Sequence, residues 1–283
     1  MEITPEDIAA TKPDCLAGAA IEAKGETVGV GKAGMSTAAI APLGILAGIF
    51  IGMGALFMTY VKADQALSFA ASSVLGGIVF SLGLICVVVA GAELFTGNML
   101  MTMAALSKKI SWGSLAKNWA VVWVFNLIGS LILVGIIFGC GLMATKAGDN
   151  TIGNQMVAIA SAKINLSPEQ IIFRGIMCNL LVCIAVYMGF AGRTVIDKIF
   201  TCVFPVMAFV AMGFEHCVAN MFFLPMGVLA ANAGFGTQLD PALLASVTAG
   251  GAAYNIIFAT LGNIIGGAIF VGVLYWWAFA KKD

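Results

Sequence analysis

Six long apolar stretches run through this chain and restrict it to folds that are built in a membrane. They can be placed near 37–61, 70–107, 118–143, 171–192, 199–232 and 247–280. About 20 apolar residues in a helix suffice to cross the hydrocarbon core of a bilayer. The composition agrees, with 61% hydrophobic and 10% charged residues among 283. The stretches predict an all-α, multi-pass membrane protein with six transmembrane helices.

A nine-residue signature, G-x-E-x-x-x-x-N-M, occurs in both the second and the fifth stretch. The copies run from Gly91 to Met99 and from Gly213 to Met221. Each places a glutamate and an asparagine where a membrane helix should stay apolar, and both stretches are long for one crossing. We therefore predict that the second and fifth helices are interrupted. Polar groups at membrane depth are costly and usually mark a pathway.

The repeat extends beyond the signature into a pair of asparagines in each half. Asn118 and Asn126, and later Asn255 and Asn263, share the spacing N-x7-N-x2-G. Two halves of three spans each have opposite orientations, which is the arrangement of inverted repeats. The asparagines suit interhelical hydrogen bonds. The repeat alone predicts a permeation pathway between the two broken helices.

The basic residues predict the orientation, because cytoplasmic flanks are enriched in Lys and Arg. The side with both termini holds Lys12, Lys24, Lys32, Lys108, Lys109, Lys117, Arg193, Lys198, Lys281 and Lys282. The other side holds Lys62, Lys146, Lys163 and Arg174. Both termini are therefore expected in the cytoplasm.

Three regions follow from this topology. Residues 1–36 are expected to be a cytoplasmic N-terminal segment, in which 14–26 form either a short amphipathic helix on the membrane surface or a polar tail. Residues 37–280 form the six-helix transmembrane domain, and residues 281–283 a cytoplasmic tail.

Several functional classes are disfavoured by what the sequence holds. The net charge of zero gives no hint of nucleic acid. Six of the seven cysteines lie in apolar spans without C-x-x-C spacing, so we expect neither a disulfide framework nor a metal site. A single histidine, with no H-x-x-x-H and no G-x-S-x-G motif, argues against an enzyme and gives no cofactor site.

Several motifs resemble the bacterial formate/nitrite transporter family, and among its members the formate channels most. These motifs are F-S-L-G-L at 80–84, G-A-E-L-F-T at 91–96, L-A-K-N-W at 115–119, R-G-I-M-C-N-L at 174–180, G-R at 192–193, and G-F-E-H at 213–216 running to N-M-F at 220–222. The resemblance covers essentially all of the chain after about residue 30. It implies an aquaporin-like protomer of six helices with its own pore, assembled as a homopentamer in the cytoplasmic membrane among lipids.

The resemblance also implies two apolar constrictions. Leu84 and Phe95 match the outer constriction, and Phe80 and Phe209 match the cytoplasmic one. Since phenylalanines are ordinary packing residues in membrane helices, these roles rest on the resemblance alone.

Between the constrictions, the resemblance implies a polar chamber. Thr96 and His216 would lie on the two interrupting loops, opposite each other, with Asn179 and Val182 lining the chamber. Lys163 matches a basic residue near the outer mouth. The signature residues themselves, Glu93, Glu215, Asn98 and Asn220, are expected to cap free N–H groups of the broken helices, although the two glutamates also suit a pore lining.

These positions suit the passage of a small anion of a weak acid. A bare carboxylate in a low-dielectric slit costs on the order of 20 kcal/mol by the idealised Born estimate, whereas protonating a carboxylic acid at pH 7 costs about 4 kcal/mol. Crossing as the neutral acid is therefore easier, with His216 either donating a proton or donating a hydrogen bond. Formate is the favoured substrate. Nitrite, hydrosulfide and, less favoured, a neutral solute such as water or glycerol remain alternatives.

Overall fold

The structure is a computed structural model that describes residues 15–280, and helices make up most of it. The first half contains α1 (Ala19–Ala33), α2 (Thr37–Ala63), α3 (Phe69–Ala90), a 3-10 turn (Gly97–Leu100), α4 (Met101–Leu106) and α5 (Trp112–Gly139). A 3-10 turn (Leu142–Ala144) and an antiparallel hairpin, β1 (Lys146–Ala147) and β2 (Asn150–Thr151), follow. The second half contains α6 (Ile152–Ile164), α7 (Pro168–Ala191), α8 (Val195–Ala211), α9 (Cys217–Asn232), α10 (Pro241–Ala245), α11 (Ala249–Ile264), a π-helical segment (Ile265–Val273) and α12 (Leu274–Phe279).

Five of the described helices are long and apolar enough to cross a membrane. They are α2, α3, α5, α7 and the continuous run Ala249–Phe279. Two shorter apolar helices cover Gly97–Leu106 and Cys217–Asn232. The prediction of an all-α membrane protein is thereby confirmed. The third helix begins earlier than the predicted 118, at Trp112, because the hydroxyl of Ser111 accepts the N–H of Ser114 and caps it.

Both signature stretches are interrupted, and a glycine stands at each break. Gly91 follows α3 with φ 82°, and Gly213 follows α8 with φ 69°. This left-handed conformation is one that glycine adopts without steric cost, so the helix ends there. The chain then enters a short loop inside the protein before the next helix begins.

Each half contains a close helix crossing that depends on a glycine. A Cβ atom on Gly129 of α5 would lie 2.0 Å from the carbonyl oxygen of Ile45 in α2. A Cβ on Gly266, just after α11, would lie 2.2 Å from the carbonyl oxygen of Ile176 in α7. Small residues let membrane helices approach backbone to backbone. The two glycines therefore allow α5 to pack closely on α2, and the segment after α11 to pack closely on α7.

The N-terminal helix differs from the predicted one in its boundaries and in what it packs against. It begins at Ala19, and a Cβ on Gly25 would meet Met103 of α4 at 2.5 Å. A Cβ on Gly29 would meet Ala104 at 3.0 Å. The helix therefore docks on the protein through its glycine face. Residue 14 of the predicted helix, Lys12 before it and the tail 281–283 lie outside the described residues.

A buried polar cluster holds α1 to the loop after α4. Glu26 accepts hydrogen bonds from Ser107 and Lys109, and the indole N–H of Trp276 donates to the Ser107 hydroxyl at 2.8 Å. Burial, with repulsion from Glu26, raises the pKa of Glu22 to about 7. Burial alone would also raise the pKa of Glu26, but the bonds from Lys109 and Ser107 bring it below its usual value. We therefore expect the attachment of α1 to depend on pH near neutrality.

Candidate functional site

The glutamate of the first signature is held by a lysine and two asparagines. Lys32 Nζ of α1 lies 2.5 Å from Glu93 Oε1. The amide of Asn98 donates to Glu93 Oε2 and to Asn118 Oδ1, both at 2.8 Å. The Asn118 amide in turn donates to the carbonyl oxygen of Lys32 at 3.3 Å. The carboxylate is thus buried with its charge neutralised and both its oxygens bonded.

The glutamate of the second signature has equivalent partners and one further bond, because Glu215 Oε2 also accepts from the Asn255 amide at 3.1 Å. Lys163 Nζ of α6 lies 2.7 Å from Glu215 Oε1. The amide of Asn220 donates to Glu215 Oε2 and to Asn255 Oδ1, both at 2.7 Å. The Asn255 amide donates to the carbonyl oxygen of Lys163 at 2.9 Å. The two halves therefore contain one hydrogen-bond network twice.

A second pair of asparagines supports the interrupting loops themselves. Asn126 Oδ1 accepts the N–H of Phe95 at 2.9 Å, and its amide donates to the carbonyl oxygen of Glu93 at 2.9 Å. Asn263 accepts the N–H of Cys217 at 2.9 Å and bonds the second loop in the same way. Loop backbone at membrane depth needs such partners. The predicted interhelical role of these asparagines is what the structure shows.

The capping role expected of the signature side chains is corrected by these contacts. Glu93 and Glu215 bind lysine and asparagine side chains, and Asn98 and Asn220 bind a glutamate and another asparagine. The loop N–H groups of Phe95 and Cys217 instead donate to the side chains of Asn126 and Asn263. Each buried carboxylate is paired with a lysine, because an uncompensated charge inside the protein is costly.

Thr96 and His216 meet where the two loops come together. The Thr96 hydroxyl lies 2.9 Å from Nε2 of His216, and both residues are buried. Nδ1 of His216 accepts the N–H of Ala219 at 3.0 Å, so the histidine caps α9. A neutral ring that accepts at Nδ1 carries its proton on Nε2. That proton is donated to the Thr96 oxygen, which leaves the Thr96 hydroxyl hydrogen free for a third group.

Asn179 and Val182 of α7 are buried beside this pair. The Asn179 amide donates to the carbonyl oxygens of Thr96 at 3.2 Å and Asn263 at 2.7 Å. The thiol of Cys183 also donates to the Thr96 carbonyl at 3.3 Å. Asn179 therefore fixes the loop that carries Thr96. Among residues 15–280, no group of three or more His, Cys, Asp or Glu side chains is arranged to hold a metal ion.

Aromatic rings cover His216 on one side. Phe209 stacks on the imidazole, with ring centroids 5.8 Å apart and planes 21° apart. Phe80 meets Phe209 edge to face at 5.7 Å and stacks on Phe223 at 6.4 Å. The polar pair is thus closed off by an apolar layer.

Two cavities approach the pair from opposite sides. The Lys32 vestibule, of about 190 Å³, is bordered by Lys32, Glu93 and the glycine face of α1. The Lys163 vestibule, of about 300 Å³, is bordered by Lys163, Phe80 and His216. In the described part of the chain, no residue borders both cavities.

The structure places one of the two predicted constrictions on the same side as Lys163. Phe80 and Phe209 border the Lys163 vestibule, although the resemblance assigned them to the opposite side from Lys163. Leu84 and Phe95 are buried and border neither cavity. The reason is the direction of α3, which begins near the Lys163 vestibule and ends at the Lys32 vestibule, so Phe80 comes before Leu84 on the path between them.

These features define a multi-pass membrane protein in which two interrupted helices meet at a buried threonine–histidine pair between two separate cavities. The model of the family described as Formate/nitrite transporter matches residues 20–277. The chain belongs to this family. The resemblance found in the sequence is thereby confirmed.

Two relatives illustrate the similarity in sequence. The "Uncharacterized transporter YrhG" of Bacillus subtilis (strain 168) is 41% identical over 274 residues, covering 96% of this chain and 95% of that protein. The "Formate channel FocA" of Escherichia coli (strain K12) is 38% identical over 282 residues, covering 95% of this chain and 96% of that protein. By name, these relatives are channels or transporters and not enzymes.

Two solved structures are similar in fold. A "Pentameric formate channel with formate bound" matches with a TM-score of 0.79 and 39% identity, covering 87% of this chain and 98% of that one. An "FNT family ion channel" matches with a TM-score of 0.79 and 26% identity, covering 91% and 98%. The helical arrangement described above is therefore that of channels of this family.

Proposed function

We propose that this chain is a membrane channel for small monovalent anions of weak acids, with formate as its substrate. The observation that carries the proposal is the Thr96–His216 hydrogen bond, which lies where the broken helices meet and has a cavity on either side. FocA, a named formate channel, supports the choice of formate because the chain resembles it along almost its full length. Nitrite and hydrosulfide are the alternatives within the same class.

The hydroxyl hydrogen of Thr96 is the group that meets the substrate. It is free to donate because the threonine oxygen already accepts from His216. Phe80, Phe209, Leu84 and Phe95 surround this donor with apolar surface, which favours the protonated, neutral form of a carboxylic acid over the anion. An anion that takes up a proton in a vestibule therefore crosses this layer at lower cost than a bare carboxylate.

His216 acts in this scheme as a hydrogen-bond donor. Its Nδ1 is occupied by the N–H of Ala219, so the neutral ring has one proton, on Nε2. Releasing that proton to a substrate leaves an imidazolate, and taking a second proton on Nδ1 breaks the bond to Ala219. We infer that the ring orients the Thr96 hydroxyl and that the proton accompanying the anion comes from water in the vestibule.

The architecture of the proposed channel follows the repeated network. Six spans result when the interrupted pairs α3–α4 and α8–α9 are each counted as one, and the matched networks support two inverted repeats of three. The pentameric formate channel that resembles this chain supports a homopentamer in the cytoplasmic membrane. Residues 1–36 and 281–283 would then be cytoplasmic and 37–280 the channel domain, in contact with lipid.

Uptake by proteoliposomes of the purified protein tests the proposal. Formate, nitrite, hydrosulfide and glycerol are presented separately at two external pH values, with a pH-sensitive dye inside. We expect saturable formate uptake with acidification of the interior. Flux of glycerol without movement of any anion would overturn the proposal.

Two variants of His216 then separate its roles. His216→Asn keeps both a helix cap and a donor for Thr96, so we expect flux with an unchanged pH profile. His216→Phe removes both, and we expect flux to fall at every pH. A shifted pH profile in His216→Asn would instead assign a proton relay to the ring.

A further inference from the structure

The Lys163 vestibule is bordered by three basic side chains that differ in how far their charges are neutralised. Lys163 is ion-paired with Glu215 at 2.7 Å. Arg174 donates to the carbonyl oxygen of Gly213 at 3.5 Å. Lys62 borders the same cavity, yet none of the three ion pairs found among residues 15–280 includes it. Neither Arg174 nor Lys62 forms an ion pair among the described residues, and of the three cations Lys62 alone has no hydrogen-bonding partner there.

The structure fixes the position of Lys62. It lies in the last turn of α2 and is half-buried. Its stem passes over Gly76 of α3, where a Cβ would lie 3.7 Å from Lys62 Cε. Lysine can pack its apolar stem along a protein surface while its ammonium group faces the adjoining space, and for Lys62 that space is the Lys163 vestibule.

We propose that Lys62 is the residue that captures the anion in the Lys163 vestibule, and that Lys163 is mainly a structural partner of Glu215. This inference rests on the proposed function as an anion channel. The positive charge of Lys163 is offset at close range by Glu215, so it contributes little to the potential in the cavity. Neither Lys62 nor Arg174 is offset by a carboxylate, but Arg174 already donates to the carbonyl oxygen of Gly213, whereas the donors of Lys62 have no acceptor among the described residues. A cavity with low-dielectric walls concentrates the field of such a charge on an incoming ion.

The ligand class follows from the chemistry of an ammonium group. It is a compact point charge with three donors, and it attracts small monovalent anions without the bidentate geometry that arginine offers. Such attraction raises the local anion concentration and is screened by salt. Lys62 should therefore affect the substrate concentration needed for half-maximal flux and leave the maximal flux through the apolar layer unchanged.

Flux in proteoliposomes tests this assignment at several formate and inert-salt concentrations. We expect Lys62→Gln to raise the half-saturating formate concentration about three- to tenfold, to leave the maximal flux unchanged and to flatten its dependence on salt. Lys62→Glu should have a larger effect, and Lys62→Arg should behave like the wild type. The matched control is Lys146→Gln, because Lys146 is an exposed lysine in β1 that does not border the cavity.

Each outcome decides a separate point. The inference is overturned, with the proposed channel function untouched, if Lys62→Gln has the same half-saturating formate concentration as the control Lys146→Gln. It is also overturned if Lys62→Arg is as impaired as Lys62→Gln. If Lys62→Gln does not elute as a folded oligomer in size-exclusion chromatography, Lys62→Met, which keeps the stem over Gly76, replaces it. Absence of anion flux in the wild type overturns the proposed function itself, independently of any variant.

Discussion

The two halves of the molecule share a scaffold and differ at their centres. In each half a lysine, a glutamate and two asparagines form the same network, and a further asparagine supports the loop. In the first half, Asn126 accepts the N–H of Phe95, and the residue before Phe95 is Leu94. In the second half, Asn263 accepts the N–H of Cys217, and the residue before Cys217 is His216. Thr96 comes from the first half alone. The repeated residues therefore hold the loops, and the unrepeated ones form the polar pair.

The halves also differ in how their lysines are anchored. Lys163 belongs to α6, which packs against α9, and its side chain is 15% exposed. Lys32 belongs to α1, which is docked through a pH-dependent cluster, and its side chain is 23% exposed. We therefore expect α6 to be the more firmly fixed, and α1 the more weakly attached, of the two helices that carry the network lysines.

The largest expected effect comes from breaking the network on the fixed side. Glu215→Gln leaves Lys163 without its carboxylate, and removing one partner of a buried ion pair costs about 3–5 kcal/mol. We expect less from Glu93→Gln, because α1 can move away and expose Lys32 to water. Thermal unfolding in detergent measures both losses. Equal losses would contradict the difference in anchoring.

The double variant Lys163→Met with Glu215→Gln provides the control for that experiment. Removing both charges leaves no unpaired ion, so part of the stability lost in Glu215→Gln should return. A double variant no more stable than the single one would show that the charges do not interact as described.

Equal effects are expected from the asparagines that support the loops. Asn126→Leu and Asn263→Leu each remove an acceptor for a loop N–H and a donor to loop carbonyls, so we expect each to cost about 3 kcal/mol. Both midpoints of thermal unfolding should fall by a similar amount. A clear inequality would show that one loop is held mainly by other contacts.

A change in the central pair should be seen mainly in flux, with a smaller loss of stability because one buried N–H loses its acceptor. Thr96→Val keeps the shape of the side chain and removes the hydroxyl, so we expect formate flux to fall about tenfold, as for the loss of one hydrogen bond of about 1.4 kcal/mol. Thr96→Ser should stay near the wild type. Unchanged flux in Thr96→Val would remove the hydroxyl from the pathway.

The smallest expected effect is on the docking of α1. The buried Glu22 has its pKa raised from 4.5 to about 7 by burial and by Glu26, so its neutral form stabilises the docked helix. That contribution is complete below pH 4.5 and is lost as the pH rises through about 7. Hydrogen exchange of α1 should therefore be slower at pH 6 than at pH 8 after correction for intrinsic rates. Glu22→Gln should remove the difference, and α6 serves as the internal reference.

Much of the fold was readable from the sequence, because it follows from hydropathy and from polar residues at membrane depth. Gly91 and Gly213, each with a glutamate two residues later, predicted the interruptions, and the spacing of Asn126 and Asn263 predicted their bonds. The proximity of Thr96 to the sole histidine came from the family resemblance.

Other features depend on contacts that the sequence does not display. Lys32 and Lys163 lie near the ends of apolar stretches, so they read as topology signals and their glutamate partners were missed. The side on which Phe80 lies depends on the direction and rotation of α3, which hydropathy leaves undefined. Asn179 was expected to line the chamber, but its amide is engaged by two carbonyl groups.

The order of the network residues along the chain has a consequence for biosynthesis. Lys32 precedes Glu93 by 61 residues, and Lys163 precedes Glu215 by 52. Each glutamate is therefore synthesised after the lysine that pairs with it. When the glutamate enters the bilayer, its lysine is already present, so the carboxylate need not be buried unpaired. His216, by contrast, is synthesised 120 residues after Thr96, its hydrogen-bonding partner. The two ion pairs can therefore form before the polar pair, whereas Asn255 and Asn263, which support the second half, are synthesised after His216.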